Sequence, residues 1–541
     1  MVIRHRPFGM NKYYNYLASF AMIVGFTTLL GCGGSSNGTA IDDGDISWTQ
    51  GVFEDEDLFK NACATPRNGS DINGNAYPDM QGSLLNENHW LRSWSNNTYL
   101  WYDEIADQNP ANFNSTDDYF KVLKTQQLTN SNNLRDRFHF TYDSEDWLLL
   151  NQSGQSAGYG AEWAIIASSP PRQILIAYTE PNTPATEANV NLQRGAEIIS
   201  IDGAAVVNSS DTNTLNAGLS PADVGETHTF VIRDLGASET REITMVSTII
   251  TSPPVLQTST IQTNNSNIGY ILFNSHIATA EKALVDAINQ LSNDNVTELV
   301  LDLRYNGGGL LAIASQLGYM IAGANTTANK TFDNTIFNDK HRATNPVTGR
   351  ALSPTPFYDQ TLGFSIDKGQ PLPTLNLNRV FILSTGGTCS ASEAIINGLR
   401  GVDVEVVLIG STTCGKPYGF YPTDNCGTTY FTIQFKGEND QEFGDYSDGF
   451  SPVNTAGTVG TTVPGCSVAD DYNHQLGDAQ EDLLATALTY RDTGVCPTPT
   501  GQAVKMPANH LKQNGFGQNN QGLAIKDPKK LRDMILSLPH K

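Results

Sequence analysis

The sequence predicts a multidomain α/β protein. Its 541 residues, of which 39% are hydrophobic, exceed what a single core usually holds. Strand-like and helix-like segments alternate from about residue 265 to 490, which is typical of a largely parallel sheet covered by helices. Short β-rich segments separated by Gly and Pro occupy about 155–250 and predict a second, smaller β domain.

The amino-terminal region has the pattern of an export signal. Three basic residues precede an apolar run over 17–31, which is too short to cross about 30 Å of hydrocarbon. The run ends in Leu-Leu-Gly-Cys32, which resembles the bacterial lipobox, so we expect Cys32 to be lipidated. Gly33 rather than Asp follows it, and by the same resemblance this favours the outer membrane of a Gram-negative bacterium over retention at the inner membrane. We expect the anchor on the periplasmic face. The alternative is ordinary cleavage beside an incidental Cys.

Six cysteines remain after Cys32, an even number that indicates disulfides in an exported chain. They permit 15 pairings, which the sequence alone does not resolve. No Cys-x-x-Cys pair is present, so zinc binding is disfavoured. The six residues are Cys63, Cys389, Cys414, Cys426, Cys466 and Cys496.

Residues 82–150 predict a helical region with a buried aromatic face, because apolar residues recur at spacings of three and four. These residues are Trp90, Leu91, Trp94, Tyr99, Leu100, Trp101, Tyr102, Tyr119, Phe120 and Leu123. In the β-rich segment, the predicted strands are Trp163 to Ala167, Ile174 to Tyr178, Glu197 to Ile201, Thr229 to Arg233 and Arg241 to Val246.

The α/β region has five predicted strands between residues 268 and 435. They are Ile268 to Phe273, Leu299 to Leu303, Val380 to Leu383, Val404 to Ile409 and Tyr430 to Phe435, and the predicted helices are Ala278 to Leu291, Leu310 to Ile321 and Ala391 to Leu399. Active sites in such sheets lie beyond the carboxyl ends of the strands. After Cys496 the chain turns basic, and Lys529 to Leu538 predict one short helix, an appendage or a membrane-surface element.

A glycine run follows one predicted strand of the α/β region. Asp302 to Asn306, which reads Asp-Leu-Arg-Tyr-Asn, leads into Gly307-Gly308-Gly309 and then into a predicted helix. Glycines after a strand let backbone N–H groups approach a negatively charged ligand. Glycine runs are also common in ordinary turns, so this motif alone does not establish a function.

A serine stands at the start of another predicted helix. In Thr-Cys-Ser390-Ala391-Ser-Glu393, the helix amino terminus and the N–H of Ala391 favour a negative oxygen on the reacting group. The structural alternative is that Ser390 only caps the helix and Glu393 completes a capping box.

Lys416 lies 26 residues after Ser390 in a glycine-flanked loop that nearly matches a phosphate-binding loop. Pro417 replaces the required hydroxyl residue, which disfavours nucleotide binding.

Together these motifs resemble the S41 peptidases, also called carboxy-terminal processing or tail-specific proteases, over about residues 85–490. The resemblance implies a crotonase-like ββα core that needs no metal or cofactor. It implies Ser390 as the nucleophile, Lys416 as the general base, and the N–H groups of Gly308 and Ala391 as the oxyanion hole. A lysine accepts a proton only when neutral, so burial has to lower its pKa from the reference value of about 10.4. We expect Cys414 to Phe420 to provide that burial.

The sequence departs from the family at the residue that orients the lysine. Many members have a Gln four residues after the lysine or an Asp eleven after the serine, positions held here by Phe420 and Gly401. Glu393 is therefore the candidate orienting residue, and Asp403 is a weaker one. A Ser-His triad that uses His276 is the alternative.

A disulfide between Cys389 and Cys414, which flank the two catalytic candidates, would hold both loops together.

Residues 184–203 resemble a PDZ domain, although Ala196 replaces its usual Asp. PDZ domains bind a peptide as an added strand, with backbone amides on its terminal carboxylate, so Gly158, Tyr159 and Gly160 are the candidate peptide-binding loop. The alternative is a β domain without a ligand.

The charge balance excludes one class of function. Lys and Arg number 33 against 56 Asp and Glu, a net charge of −23, so a nucleic-acid binder is disfavoured.

We expect a serine endopeptidase that cleaves envelope polypeptides through an acyl-enzyme and receives carboxy-terminal ends in its PDZ-like domain. The alternative is an inactive S41-like scaffold that binds peptides. The predicted organisation is a signal peptide (1–31), a tether (32–81), a helical domain (82–150), a PDZ-like domain (151–252), a protease core (253–496) and a tail (497–541).

Overall fold

The computed structural model describes residues 46–263 and 266–497, together with the backbone of Met534–Ile535. The predicted signal peptide and the lipidation residue Cys32 lie outside these ranges. Within the described ranges, every helix is too short or too polar to cross a membrane.

One long helix organises the region before residue 154. The elements are β1 Ala62–Cys63, β2 Met80–Gln81, α1 Leu84–Thr98, α2 Thr116–Phe120, β3 Phe140–Asp143 and α3 Ser144–Ser153. Ser83 caps α1, since its Oγ accepts the N–H of Asn86 at 3.2 Å. The buried rings of Trp90 and Trp94 stack 5.0 Å apart, as the predicted aromatic face requires. The helix ends at Thr98, so the following aromatic residues lie beyond it.

A small antiparallel sheet follows. The elements are β4 Gln155–Gly158, β5 Ala161–Ala167, β6 Gln173–Thr179, β7 Glu197–Ile201, β8 Ala204–Ala205, α4 Thr212–Leu219, β9 Thr227–Arg233, β10 Arg241–Val246 and β11 Thr248–Thr251. The sheet order is β10-β9-β7-β6-β5, with β8 beside β7, while β11 pairs with β4. The five strands predicted for this segment correspond to β5, β6, β7, β9 and β10. Its assignment as PDZ-like remains a prediction.

The rest of the chain contains the largest sheet. The elements are β12 Val255–Gln262, β13 Asn267–Phe273, α5 Ala280–Asn293, β14 Val296–Asp302, β15 Gly309–Leu310, α6 Leu311–Ala322, α7 Ala324–Thr327, β16 Thr331–Phe337, β17 Thr355–Pro356, β18 Arg379–Ser384, α8 Ala391–Gly401, β19 Glu405–Gly410, β20 Tyr418–Gly419, β21 Thr423–Asn425, β22 Thr428–Phe431, β23 Phe435–Glu438, β24 Phe450–Pro452, β25 Thr461–Val463, β26 Gly465–Ser467, α9 Asp482–Thr493 and β27 Met534–Ile535.

Six strands form that sheet in the order β12-β13-β14-β18-β19-β26. All neighbouring pairs are parallel except β12 with β13. Alternate residues of these strands contact different cores, because side chains of a strand point to opposite faces. Leu299 and Leu301 pack in the core with α5, α6 and α8 on one face of the sheet, and Val300 packs in the core with α9 on the other face. The predicted mixed α/β fold with a mostly parallel sheet is confirmed.

A buried ionic network joins the small sheet to the large one. Arg194 contacts Asp470 at 2.8 Å and donates to the Tyr305 hydroxyl at 2.7 Å. Arg304 contacts the same carboxylate at 2.8 Å and Glu481 at 2.8 Å. The charges compensate one another, which a buried ion needs in order to be tolerated.

Two sequence predictions are wrong in detail. The single strand expected over Tyr430 to Phe435 is two strands in different sheets, since β22 pairs with β3 and β23 pairs with β16. Between them, the backbone of Ile433 accepts a hydrogen bond from Leu100, and Gln434 donates to Gly419. The helix expected over Lys529 to Leu538 is a strand at Met534–Ile535, which pairs with β15. The other residues of that segment lie outside the described ranges.

All six predicted disulfide cysteines are paired. The bonds are Cys63–Cys426, Cys389–Cys414 and Cys466–Cys496. The first ties the amino-terminal region to the turn between β21 and β22, and the third ties the end of α9 to β26. The second is the predicted link between the two catalytic loops, and this prediction is confirmed.

Candidate active site

Ser390 lies at the turn between β18 and α8, beyond the carboxyl end of a central strand. Its backbone has φ +60°, a conformation that non-glycine residues rarely adopt. The side chain is fully buried, and its Oγ makes no hydrogen bond within the described residues. A serine that only caps the helix would accept a helix N–H with its Oγ, and Ser390 makes no such side-chain bond here, so the structure does not support a purely capping role. Such a strained, unengaged hydroxyl is typical of a nucleophile.

Lys416 lies in the loop that follows β19, the strand next to β18. Its side chain is fully buried, and its Nζ lies 4.2 Å from the Phe420 ring centroid and 5.2 Å from that of Phe138. The aromatic enclosure was expected from Phe420. Phe138, which precedes β3 and is 278 residues away in the sequence, was not predicted.

Glu393 joins the serine and lysine loops through one buried carboxylate. Its Oε2 accepts the backbone N–H of Ser390 at 2.9 Å and that of Lys416 at 2.8 Å. Its Oε1 accepts the N–H of Gly415 at 2.8 Å and the hydroxyl of Thr413 at 2.5 Å. Burial raises its pKa above the ordinary value, an effect that these donors oppose. Glu393 thus fixes the backbones of both catalytic candidates.

The Cys389–Cys414 disulfide connects the same two loops covalently. Its Cα atoms lie 5.1 Å apart, and its residues directly precede Ser390 and lie two positions before Lys416. A carboxylate and a disulfide therefore both constrain the separation of the two loops.

The glycine loop after β14 packs against the serine turn. A Cβ at Gly308, where φ is +110°, would lie 2.8 Å from the Ser390 Cβ and 3.0 Å from the Ala391 nitrogen. Only glycine fits at this approach. The Gly308 N–H donates to Asn306 Oδ1 at 3.0 Å, so it must exchange this bond to reach an oxyanion.

His276 and Asp403 occupy other positions. His276 is fully buried behind the glycine loop, where its Nδ1 contacts Asn306 Oδ1 at 3.0 Å. Burial lowers its pKa to about 3, which makes it a weak base, and it does not hydrogen-bond Ser390 Oγ. Asp403 is exposed and accepts from Gln441 at 3.0 Å. Neither contact resembles the orienting contact of a catalytic triad.

The predicted peptide-binding loop connects β4 to β5. Tyr159 is buried, and its carbonyl accepts the N–H of Ala185, while the carbonyl of Gly160 accepts that of Glu180. β5, which begins after this loop, ends its sheet in the described part of the chain. This geometry leaves an edge to which a peptide strand can be added.

Comparison with known proteins identifies the family. The family model for peptidase family S41 matches residues 267–421, and the model for the S41 amino-terminal domain matches 86–142. The chain therefore contains a peptidase S41 domain preceded by an S41 amino-terminal domain. The resemblance carried by the Asp-Leu-Arg and Ser-Ala-Ser-Glu motifs is thereby confirmed.

Curated relatives of this S41 chain include carboxyl-terminal-processing proteases of Picosynechococcus sp. and Synechocystis sp.. Each is 26% identical, over 276 and 273 residues respectively, and the match covers 50% of this chain. It covers 56% and 55% of the relatives, so the chain spans about half of their length. A Bacteroides fragilis structure designated an S41 protease is similar in fold, with a TM-score of 0.57, 24% identity, and coverage of 77% of this chain and 98% of that one.

Three contributors to this S41 site were not assigned a role from the sequence. They are Thr413, which donates to Glu393, Asn306, which holds the Gly308 amide, and Phe138, which covers Lys416. Asn306 and Thr413 lie within the motifs, so their proximity to the site was detectable. No signal marks Phe138, because its contact depends on the tertiary path of the chain.

Cys389, Glu393 and Cys414 form the one group of potential metal-ligand atoms found among the described residues. They do not fit a metal site. Both sulfurs are bonded to each other, and four strong donors already occupy the two carboxylate oxygens.

Proposed function

We propose that this chain is a serine endopeptidase in which Ser390 is the nucleophile and Lys416 the general base. The observation that carries the proposal is the junction at Glu393, whose one carboxylate oxygen accepts the backbone N–H groups of both residues. The buried Ser390 Oγ, which has no hydrogen-bond partner in the part of the chain that the structure describes, and the aromatic enclosure of Lys416 support it. The matches to the S41 peptidase models support cleavage of peptide bonds.

The reaction begins when the neutral Lys416 amine takes the Ser390 proton and Oγ attacks the carbonyl carbon of the substrate. Ala391 N–H, together with Gly308 N–H once it releases Asn306, stabilises the negative oxygen. The tetrahedral intermediate collapses, the peptide C–N bond breaks, and Lys416 returns the proton to the departing amine. Water then attacks the ester on Ser390 as Lys416 takes its proton. Return of that proton to Ser390 releases the carboxylic acid product.

Glu393 acts as a positioning residue in this scheme. It contacts backbone amides of the catalytic residues and does not touch the reacting atoms. Because its four hydrogen bonds span both loops, Glu393 fixes the backbone positions from which the Ser390 and Lys416 side chains extend. This role differs from that of the Gln or Asp of many family members, which orients the lysine amine.

The substrates we propose are polypeptides of the cell envelope. The proposed lipidation of Cys32 would anchor the enzyme to the periplasmic face of the outer membrane. The β4–β5 loop and the open edge of β5 are suited to an extended carboxy-terminal segment, which supports delivery of such ends to the active site.

Cleavage of denatured casein by purified wild type and Ser390→Ala tests the proposal. We expect wild type to cleave and the variant to lose more than about 10³-fold in rate, since removal of a catalytic nucleophile has effects of this size. Lys416→Ala should lose activity comparably, whereas His276→Ala should retain Ser390-dependent cleavage. Equal cleavage by wild type and Ser390→Ala, or by neither, would favour the peptide-binding scaffold. Activity in Lys416→Ala with loss in His276→Ala would assign the base to histidine.

A further inference from the structure

A strand from the carboxy-terminal segment lies against the glycine loop of the active site. Met534–Ile535 pair in parallel with Gly309–Leu310, the two residues that follow Gly308. Backbone pairing to this edge is therefore available to an extended peptide, and a segment of this same chain uses it.

The same strand also approaches the lysine loop. Cα atoms of β27 and of Tyr418–Gly419, which begin two residues after Lys416, come within 8 Å of each other. Met534–Ile535 thus lie alongside both loops that build the site. Ser390 and Lys416 are fully buried in this structure, so a substrate reaches them only if what covers them moves.

Chain length and charge are compatible with this placement. The disulfide of Cys496 fixes the start of the segment, and 37 residues separate it from Met534. At about 3.3 Å per residue they span up to about 120 Å, more than the distance across one domain. Residues 498–541 carry seven Lys and Arg against two Asp, in a chain whose net charge is −23. Opposite charge favours association of the segment with the rest of the molecule.

We propose that Met534–Ile535 occupy the position of the substrate strand and compete with polypeptide substrates. The inference rests on the proposed peptidase function. A tethered segment has an effective concentration of the order of millimolar, so weak pairing suffices for it to occupy the site much of the time. A substrate must displace it, which raises KM and leaves kcat nearly unchanged.

Proline substitution in the full-length protein tests the inference. Met534→Pro/Ile535→Pro removes both N–H groups of the strand and is incompatible with regular pairing, whichever of the two faces β15. We expect KM for casein to fall at least threefold with kcat retained. Leu511→Pro/Lys512→Pro places the same change elsewhere in the segment and should match wild type. A synthetic 529–541 peptide should inhibit the first variant competitively, and a peptide with both prolines should not.

A binding measurement separates this inference from the proposed function. In a Ser390→Ala background, anisotropy of a labelled 529–541 peptide should show tighter binding to Met534→Pro/Ile535→Pro than to the protein with its own strand intact. That result supports the inference even if no casein is cleaved. Equal binding by both proteins, or unchanged KM, would overturn it. Proteolytic loss of the carboxy-terminal segment from wild type, but not from Ser390→Ala, would also overturn the inference, because the segment would then be a substrate of the enzyme. A third outcome would assign the segment to a membrane surface. In it, wild type binds lipid vesicles, Met534→Pro/Ile535→Pro does not, and the 529–541 peptide does not compete with substrate.

Discussion

At the scale of single residues, the site depends on groups that never touch a substrate. Glu393 is the clearest case, because its two oxygens accept four hydrogen bonds from the serine and lysine loops. A carboxylate has only acceptor oxygens, which matches four converging donors. The site therefore selects a carboxylate here for its acceptor capacity.

Glu393→Gln tests this requirement. The amide keeps the shape of the side chain but turns one oxygen into a donor that faces two other donors. We expect the free energy of unfolding to fall by about 1–3 kcal/mol, the cost of buried donors without acceptors. We also expect kcat to fall at least tenfold with little change in KM. Chemical denaturation and casein kinetics measure these effects. Glu281→Gln, a matched change at another buried carboxylate, should cost stability and leave kcat unchanged. Retained kcat in Glu393→Gln would refute the positioning role.

Gly308→Ala tests the contact between the glycine loop and the nucleophile. The added methyl group would lie 2.8 Å from the Ser390 Cβ in a backbone with φ +110°. We expect kcat to fall at least 100-fold, because the serine turn must shift. Gly225→Ala provides the control, since φ there is +93° and nothing lies within 4 Å. It should lose stability without losing kcat, and equal kcat losses in both variants would show that backbone strain alone is responsible.

At the scale of elements, sequence periodicity located most of the helices and strands. Glu197–Ile201 and Arg241–Val246 have the predicted bounds, and the strand and helix around Ser390 were also predicted. The failure at Tyr430 to Phe435 has a physical cause: an apolar run reads as one strand, but tertiary partners at Leu100 and Gly419 divide it. The motifs located Ser390, Lys416 and Glu393, whereas Phe138 entered the site only through folding.

The Cys389–Cys414 disulfide gives an element-scale prediction. Its sequence separation of 25 residues is close to the 30 of Cys466–Cys496, so both bonds should stabilise the fold by a similar amount, about 3–4 kcal/mol in the loop-entropy model. Replacing either pair by alanine should lower the free energy of unfolding comparably. Only Cys389→Ala/Cys414→Ala should also reduce kcat, by an expected tenfold or more, since only that bond joins the two catalytic loops. Denaturant titration and casein kinetics on both variants measure this, and equal effects on kcat would contradict it.

At the scale of the whole molecule, the active site lies where separate parts of the chain converge. The lysine loop packs on Phe138 from the amino-terminal region, and Tyr305, beside the glycine loop, contacts Arg194 of the small sheet. The alternation of strands and helices predicted the parallel sheet. It did not predict the Arg194–Asp470–Arg304 network, because 276 residues separate the first pair and pairing of distant charges leaves no local pattern.

Stability at acidic pH depends in part on two fully buried histidines in different parts of this assembly. Burial lowers the pKa of His276 to about 3 and that of His139 to about 4, from 6.5 in the unfolded chain. Above pH 6.5 both states are neutral, so stability is fully present. As the pH falls below 6.5, only the unfolded state takes up protons, and each histidine costs about 1.4 kcal/mol per pH unit until its folded pKa is reached. His139→Gln and His276→Gln should each flatten the decline in stability between pH 6.5 and 4.5 by up to about 2.7 kcal/mol. Urea unfolding at one-unit pH intervals measures the slope. An unchanged slope in both variants would show that these two side chains take up protons at the same pH in the folded and unfolded protein, and that other titratable groups cause its acid sensitivity.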